Sequence, residues 1–203
     1  MAITPKEFEQ MQARLGRGKR KEVPVVGAAQ LAISSSQNQI IIGVDPSLRG
    51  TGYGVIHVCK PSPRALAHGT IKCPVDWEHS RCLAHISRTL RDVIAQHKPT
   101  VCAIEGLFFA QNLQTALTMG EARGAALAAL GEAGIEIYEI APRKVKQAIV
   151  GFGAAQKTAV GKMVQRLLQL EEPPAPDAAD ALAVALAHLQ TFRHTSVAAP
   201  RKI

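Results

Sequence analysis

Hydrophobic positions along this chain follow two periods. Short apolar runs mark strands over residues 39–45, 53–58, 65–73 and 100–105, and Ile135-Glu136-Ile137-Tyr138-Glu139-Ile140 alternates as a fifth. Helical spacing takes over in 79–97, where Leu83, Ile86, Leu90, Val93 and Ile94 recur near every 3.6 residues. It returns in 113–131, with Leu113, Leu117, Gly120, Gly124 and Leu127 on one face, and in 142–149. Helix 156–170 carries Val160, Val164 and Leu167 as its apolar stripe, and a last helix covers 176–191. The turn 46–52 joins the first two strands as a hairpin. Three strands, a helix, a strand, a helix, a strand and then helices predict an α/β domain: a mixed five-stranded sheet flanked by helices. In that order the first and fourth strands are parallel neighbours at the sheet centre.

The ends stand apart. Thr4, Pro5 and Glu7 form a capping-box start, and Phe8, Met11 and Leu15 follow at helical spacing, so 4–15 reads as a short helix. Arg17, Lys19, Arg20 and Lys21 come next, then a low-charge linker to Asn38. Residues 1–38 have too little apolar surface to fold alone. The boundaries expected are therefore a basic N-terminal extension (1–38), a domain (39–192) and a basic tail (193–203). Of the formal charge of +8 over 203 residues, the extension carries +3 and the tail +3, leaving +2 for the body. Basic arms of this kind suit a polyanionic partner, or serve only as solvated tails. The composition is 47% hydrophobic and 4% aromatic, so aliphatic side chains fill the core.

Four acids change the picture. Asp45 ends the first apolar run and Glu105 the fourth, which places two carboxylates at the carboxyl ends of neighbouring strands. Asp177 and Asp180 open the last helix three residues apart, on one face. Taken singly, each has a bland reading as a turn former or a helix-start charge. Taken together, they repel by about 4 kcal/mol per pair at ~4 Å and an effective dielectric of ~20, so protons or divalent cations must hold them. Two hard cations on carboxylates are the apparatus of in-line phosphoryl displacement.

From Ala141 to Leu170 there is no acid, yet Arg143, Lys144, Lys146, Lys157, Lys162 and Arg166 are present. A solvated helical face mixes signs, so this run predicts a phosphate track. The stretch from Gly151 to Thr158 looks like a nucleotide loop but fails the pattern, because Gln156 stands where glycine must precede Lys157. A glycine turn leading into a helix still offers backbone N–H groups to a phosphate. Phe108 and Phe109 follow Glu105, one expected to plug the core and the other to stack on bases.

Cys59, Cys73, Cys82 and Cys102 lack zinc-ligand spacing and predict a reduced, cytoplasmic chain. The seven histidines are scattered and read as structural. No signal core or membrane span is expected.

These residues resemble the RuvC family of Holliday-junction resolvases over roughly 39–192. The matching stretches are Ile42-Gly43-Val44-Asp45-Pro46 with Thr51-Gly52-Tyr53-Gly54-Val55, and Ala103-Ile104-Glu105 with Phe108. Gly120-Glu121-Ala122-Arg123-Gly124, Val145-Lys146-Gln147 through Gly151, Gly153, Ala155 and Lys157, and the 177–183 segment match as well. The resemblance implies an RNase H-like fold in a homodimer of bacterial or phage origin. It also implies Mg²⁺-dependent symmetric nicking of four-way DNA junctions, with Mn²⁺ able to substitute, in recombination and repair. Asp45, Glu105, Asp177 and Asp180 would hold two metals, one activating water and the other steadying the leaving 3′ oxygen. Cleavage would leave 5′-phosphate and 3′-hydroxyl ends. Lys146 and Lys157 would bind phosphate near the cut, Phe108 would stack at the junction centre, and a RuvAB-like branch-migration complex is the implied partner. Ser47, where the family has glycine, and Gly106, where a polar residue often follows the glutamate, depart from the pattern.

Three other readings compete. An ATP-binding protein of the actin and sugar-kinase fold needs a second, duplicated domain, for which the chain is too short. An RNase H-like nuclease acting on flaps or RNA–DNA hybrids shares the metal site, but the paired phenylalanines and the Asp-Ala-Ala-Asp helix favour junctions. A non-catalytic junction-binding protein would lack at least one carboxylate, and all four are present.

Overall fold

A computed structural model describes residues 38–106, 112–193 and 200–203. The expected helix 4–15, the rest of the extension to residue 37, and Phe108 and Phe109 lie outside the described residues. Strands β1 (Ile40–Asp45), β2 (Gly50–His57) and β3 (Arg64–Lys72) come first. Helix α1 (His79–His97), β4 (Val101–Glu105), α2 (Leu113–Glu132) and β5 (Glu136–Ile140) follow. Three helices then run as α3 (Pro142–Val150), α4 (Lys157–Leu168) and α5 (Pro176–Arg193), before β6 (Arg201–Lys202).

The sheet order is β3-β2-β1-β4-β5-β6. β1 to β3 form an antiparallel meander, while β1, β4 and β5 are mutually parallel. The expected five-stranded sheet therefore has a sixth, two-residue strand drawn from the basic tail. It pairs antiparallel with β5, and Lys202 forms an ion pair with Glu136. A two-residue strand has no alternation to read, and its pairing is a tertiary event.

Two apolar layers sandwich the sheet. Ile42, Val44, Cys102 and Ile104 face α1 and α2, with Ile86, Leu90, Ala126 and Leu130 opposite. Ile41, Ile56 and Ala103 face α3, α4 and α5. Helix α5 is the central beam: its residues 181–189 are all buried, hence their lack of polar side chains apart from His188.

Glycines bring that beam onto the sheet. A Cβ on Gly43 would stand 2.0 Å from the Ala181 carbonyl oxygen, and one on Gly52 would stand 2.0 Å from that of Asp177. Only the absence of side chains at these positions lets the start of α5 lie against β1 and β2.

Candidate active site

β1 and β4 pair in parallel with Val44 beside Ile104, so the next residue of each, Asp45 and Glu105, emerges at the same carboxyl edge. The glycine contacts set Asp177 and Asp180 across that edge. All four acids line one cleft of about 730 Å³, together with Ser47, Met119, Arg143, Lys146 and Lys157. The structure thus brings together the four carboxylates and three of the six basic candidates. Lys144, Lys162 and Arg166 do not line the cleft; they are exposed on α3 and α4.

Asp45 and Glu105 are far from ordinary carboxylates. Burial raises the Asp45 carboxyl to about 6, opposed by a hydrogen bond with Glu105 and reinforced by Asp180. Burial also raises Glu105, to about 8, with the neighbouring Asp45 charge adding to it. The pair therefore shares a proton at neutral pH, as two close carboxylates must. Asp180 is neutralised differently: Lys157 Nζ lies 2.8 Å from its Oδ2.

One positioning residue escaped the sequence reading. Arg123, on α2, donates from Nη1 to the Glu105 carbonyl oxygen at 2.8 Å and from Nη2 to Glu139. It ties the ends of β4 and β5 together beneath the carboxylates. No spacing of residue types marks it, because its partner at Glu105 is a backbone oxygen.

The donor set is all hard oxygen, which fits Mg²⁺-like cations rather than zinc or copper. Among the described residues no three acid, histidine or cysteine side chains already form a closed metal-binding group. A shared proton and the Lys157 ammonium balance the charge instead. A cation held here would compete with the Asp45–Glu105 proton and with the Lys157 contact to Asp180.

A sheet that delivers two acids from adjacent parallel strands, faced by two more on a packed helix, has the donor arrangement that carboxylate-type phosphoryl transfer uses. The family model described as crossover junction endodeoxyribonuclease RuvC matches residues 41–188. RuvC of Halorhodospira halophila is 47% identical over 148 residues, 73% of this chain and 88% of that protein. RuvC of Coxiella burnetii is 48% identical over 155 residues, covering 76% and 90%. T. thermophilus RuvC, solved in complex with a Holliday junction substrate, superposes with a TM-score of 0.75 at 32% identity, covering 81% of this chain and 99% of that one. The chain belongs to the RuvC family of crossover junction endodeoxyribonucleases. Its fold is RNase H-like, and membership carries dependence on a divalent metal. Among the described residues, no helix is long and apolar enough to cross a membrane.

Proposed function

We propose that this chain resolves four-way DNA junctions by paired, symmetric nicking, acting as a cytoplasmic homodimer with one carboxylate cleft per subunit. The observation that carries the reading is the meeting of Asp45 and Glu105 at the ends of parallel strands, with Asp177 and Asp180 in the same cleft. Four carboxylates suit two cations per site, Mg²⁺ with Mn²⁺ as substitute. When bound, those cations supply an activated water and stabilise the leaving 3′ oxygen, giving 5′-phosphate and 3′-hydroxyl ends. Asp45, Glu105, Asp177 and Asp180 fix the geometry of that displacement. Lys146 and Lys157 hold the phosphate at the cut, and Arg143, Lys144, Lys162 and Arg166 extend the track along α3 and α4. Phe108, with Phe109 beside it, reaches the opened junction centre.

Two cuts of like polarity require two sites, hence the dimer. A RuvAB-like branch-migration complex is the partner that would deliver the junction. Residues 1–38 act as a basic arm outside the nuclease domain, and the 193–203 tail adds further positive charge.

The test is cleavage of a synthetic mobile four-way junction in Mg²⁺, against linear duplex, flap and RNA–DNA hybrid, with wild type and Asp45→Asn. Paired symmetric nicks confined to the junction, and absent in the variant, are the expected result. Preferential cutting of flap or hybrid would keep the site and discard the substrate.

A further inference from the structure

The loop between α3 and α4 holds an aromatic side chain that the carboxylate chemistry does not use. Phe152 is 64% exposed, an unusual position for phenylalanine in a chain with so few aromatics. Gly151 on one side takes φ +83°, closing α3 with its N–H on the Gln147 carbonyl oxygen. Gly153 on the other side lies so close to Arg143 that a Cβ would meet Arg143 Cγ at 2.6 Å. Because Arg143 lines the cleft, Phe152 stands one residue from the cleft wall. The loop is also tied down: Ala155 N–H donates to the Phe152 carbonyl oxygen at 3.1 Å, and Ala155 itself is buried.

The surroundings select the occupant. Phe152 sits midway along the acid-free stretch 141–170, between Arg143 and Lys146 on one side and Lys157 and Lys162 on the other. An exposed apolar ring on a hydrogen-bonded loop within a basic stretch matches a strand of DNA whose bases are accessible: cations hold the backbone and the ring takes a base face. A buttressed loop keeps the ordering cost of that contact low.

We propose that Phe152 stacks on a nucleobase unpaired beside the scissile phosphate, and so helps the enzyme distinguish a branched substrate from continuous duplex. The inference rests on the reading of the chain as a junction nuclease. It adds a substrate contact on the α3–α4 loop to the expected ones.

The experiment compares full-length wild type with Phe152→Ala, Phe152→Leu and Phe152→Trp, binding a four-way junction and a linear duplex of the same sequence in EDTA. 2-Aminopurine is placed in turn at each position flanking the cut, and Lys162→Ala serves as the electrostatic comparison. Phe152→Ala should weaken junction binding roughly tenfold, leave duplex binding nearly unchanged, and keep the slope of log Kd against log salt. Phe152→Leu keeps apolar bulk without a ring and should follow alanine; Phe152→Trp should restore binding. Quenching of one 2-aminopurine should be lost with the ring. Lys162→Ala should instead reduce the salt slope by about one. Three results would overturn the proposal: wild-type junction binding by both the Ala and Leu variants, equal losses on junction and duplex, or a change in self-association with no 2-aminopurine effect. If wild type itself shows no preference for the junction, the nuclease reading falls too. If wild type prefers the junction and the ring proves irrelevant, only this inference falls.

Discussion

Lys157 Nζ lies 2.8 Å from Asp180 Oδ2, so a cation contributed by the chain sits against one of the four carboxylates of the cleft. That hydrogen bond, above all, raises the Lys157 pKa, with Asp45 and Glu105 adding to it, so the ammonium stays charged at any working pH. Under the proposed function it would leave Asp180 for a substrate phosphate once cations bind the carboxylates. Lys157→Ala should lower single-turnover junction cleavage roughly 10²-fold, without raising the Mg²⁺ concentration that gives half the maximal rate. A variant that needs more Mg²⁺ would show that Lys157 assists cation binding instead of competing with it.

Burial of the Asp45–Glu105 pair makes stability depend on pH with a definite sign. Glu105 has a folded pKa of about 8 against 4.5 for the free side chain. The folded state therefore holds a proton that the unfolded state has lost, and stability falls as pH rises toward 8. His188 acts in the opposite sense only below 6.5, because burial lowers it to about 4. Between pH 6.5 and about 8.5, in EDTA, wild type should lose about 2 kcal/mol of unfolding free energy. Glu105→Gln should lose far less, and Mg²⁺ should restore wild type by mass action. Denaturant titrations at the two pH values check this; identical slopes for both proteins would refute it.

Close packing of α5 on the hairpin is the other requirement of the site. Gly52→Ala places a methyl group 2.0 Å from the Asp177 carbonyl oxygen, so helix and strand must separate. The expected cost is about 3 kcal/mol of stability, together with loss of cleavage at temperatures where the variant remains folded. An alanine variant of wild-type stability and rate would mean that α5 is not held where the carboxylates need it.

Most of this architecture was legible because it is local. Five strands and five helices announced themselves by period, and the apolar runs ending in Asp45 and Glu105 placed both acids before any pairing was known. The parallel β1–β4 register, with Val44 beside Ile104, then brought the two acids side by side. What the sequence hid depends on distant partners. Gly43 and Gly52 read as strand and turn glycines, and their part in admitting α5 appears only when Ala181 and Asp177 are set against them. Arg123 serves Glu105 through a backbone oxygen, which leaves no pattern of residue types. Strand β6 exists only because β5 offers an edge. The six basic candidates looked like one group by charge, but helix geometry divides them: Arg143, Lys146 and Lys157 in the cleft, the others outside it.

The N-terminal extension is a separate matter of electrostatics. Six basic and three acidic side chains in residues 1–38 should add affinity for DNA that salt screens away. Removing these residues should weaken junction binding chiefly at low salt and flatten its salt dependence. The single-turnover rate at saturating enzyme should stay close to wild type. A collapse of that rate would make the extension part of the active assembly.

The central claim is that Asp45, Glu105, Asp177 and Asp180 work as one site. Its most direct test is the single-turnover cleavage rate of a four-way junction by each single Asp→Asn or Glu→Gln variant and by the Asp45→Asn/Asp180→Asn double variant, with junction binding measured alongside. Each single change should lower the rate by on the order of 10³-fold or more while binding persists, and the double variant should fall little further, since parts of one device are not additive. Independent losses that multiply in the double variant, or any one carboxylate whose removal leaves the rate intact, would contradict the account.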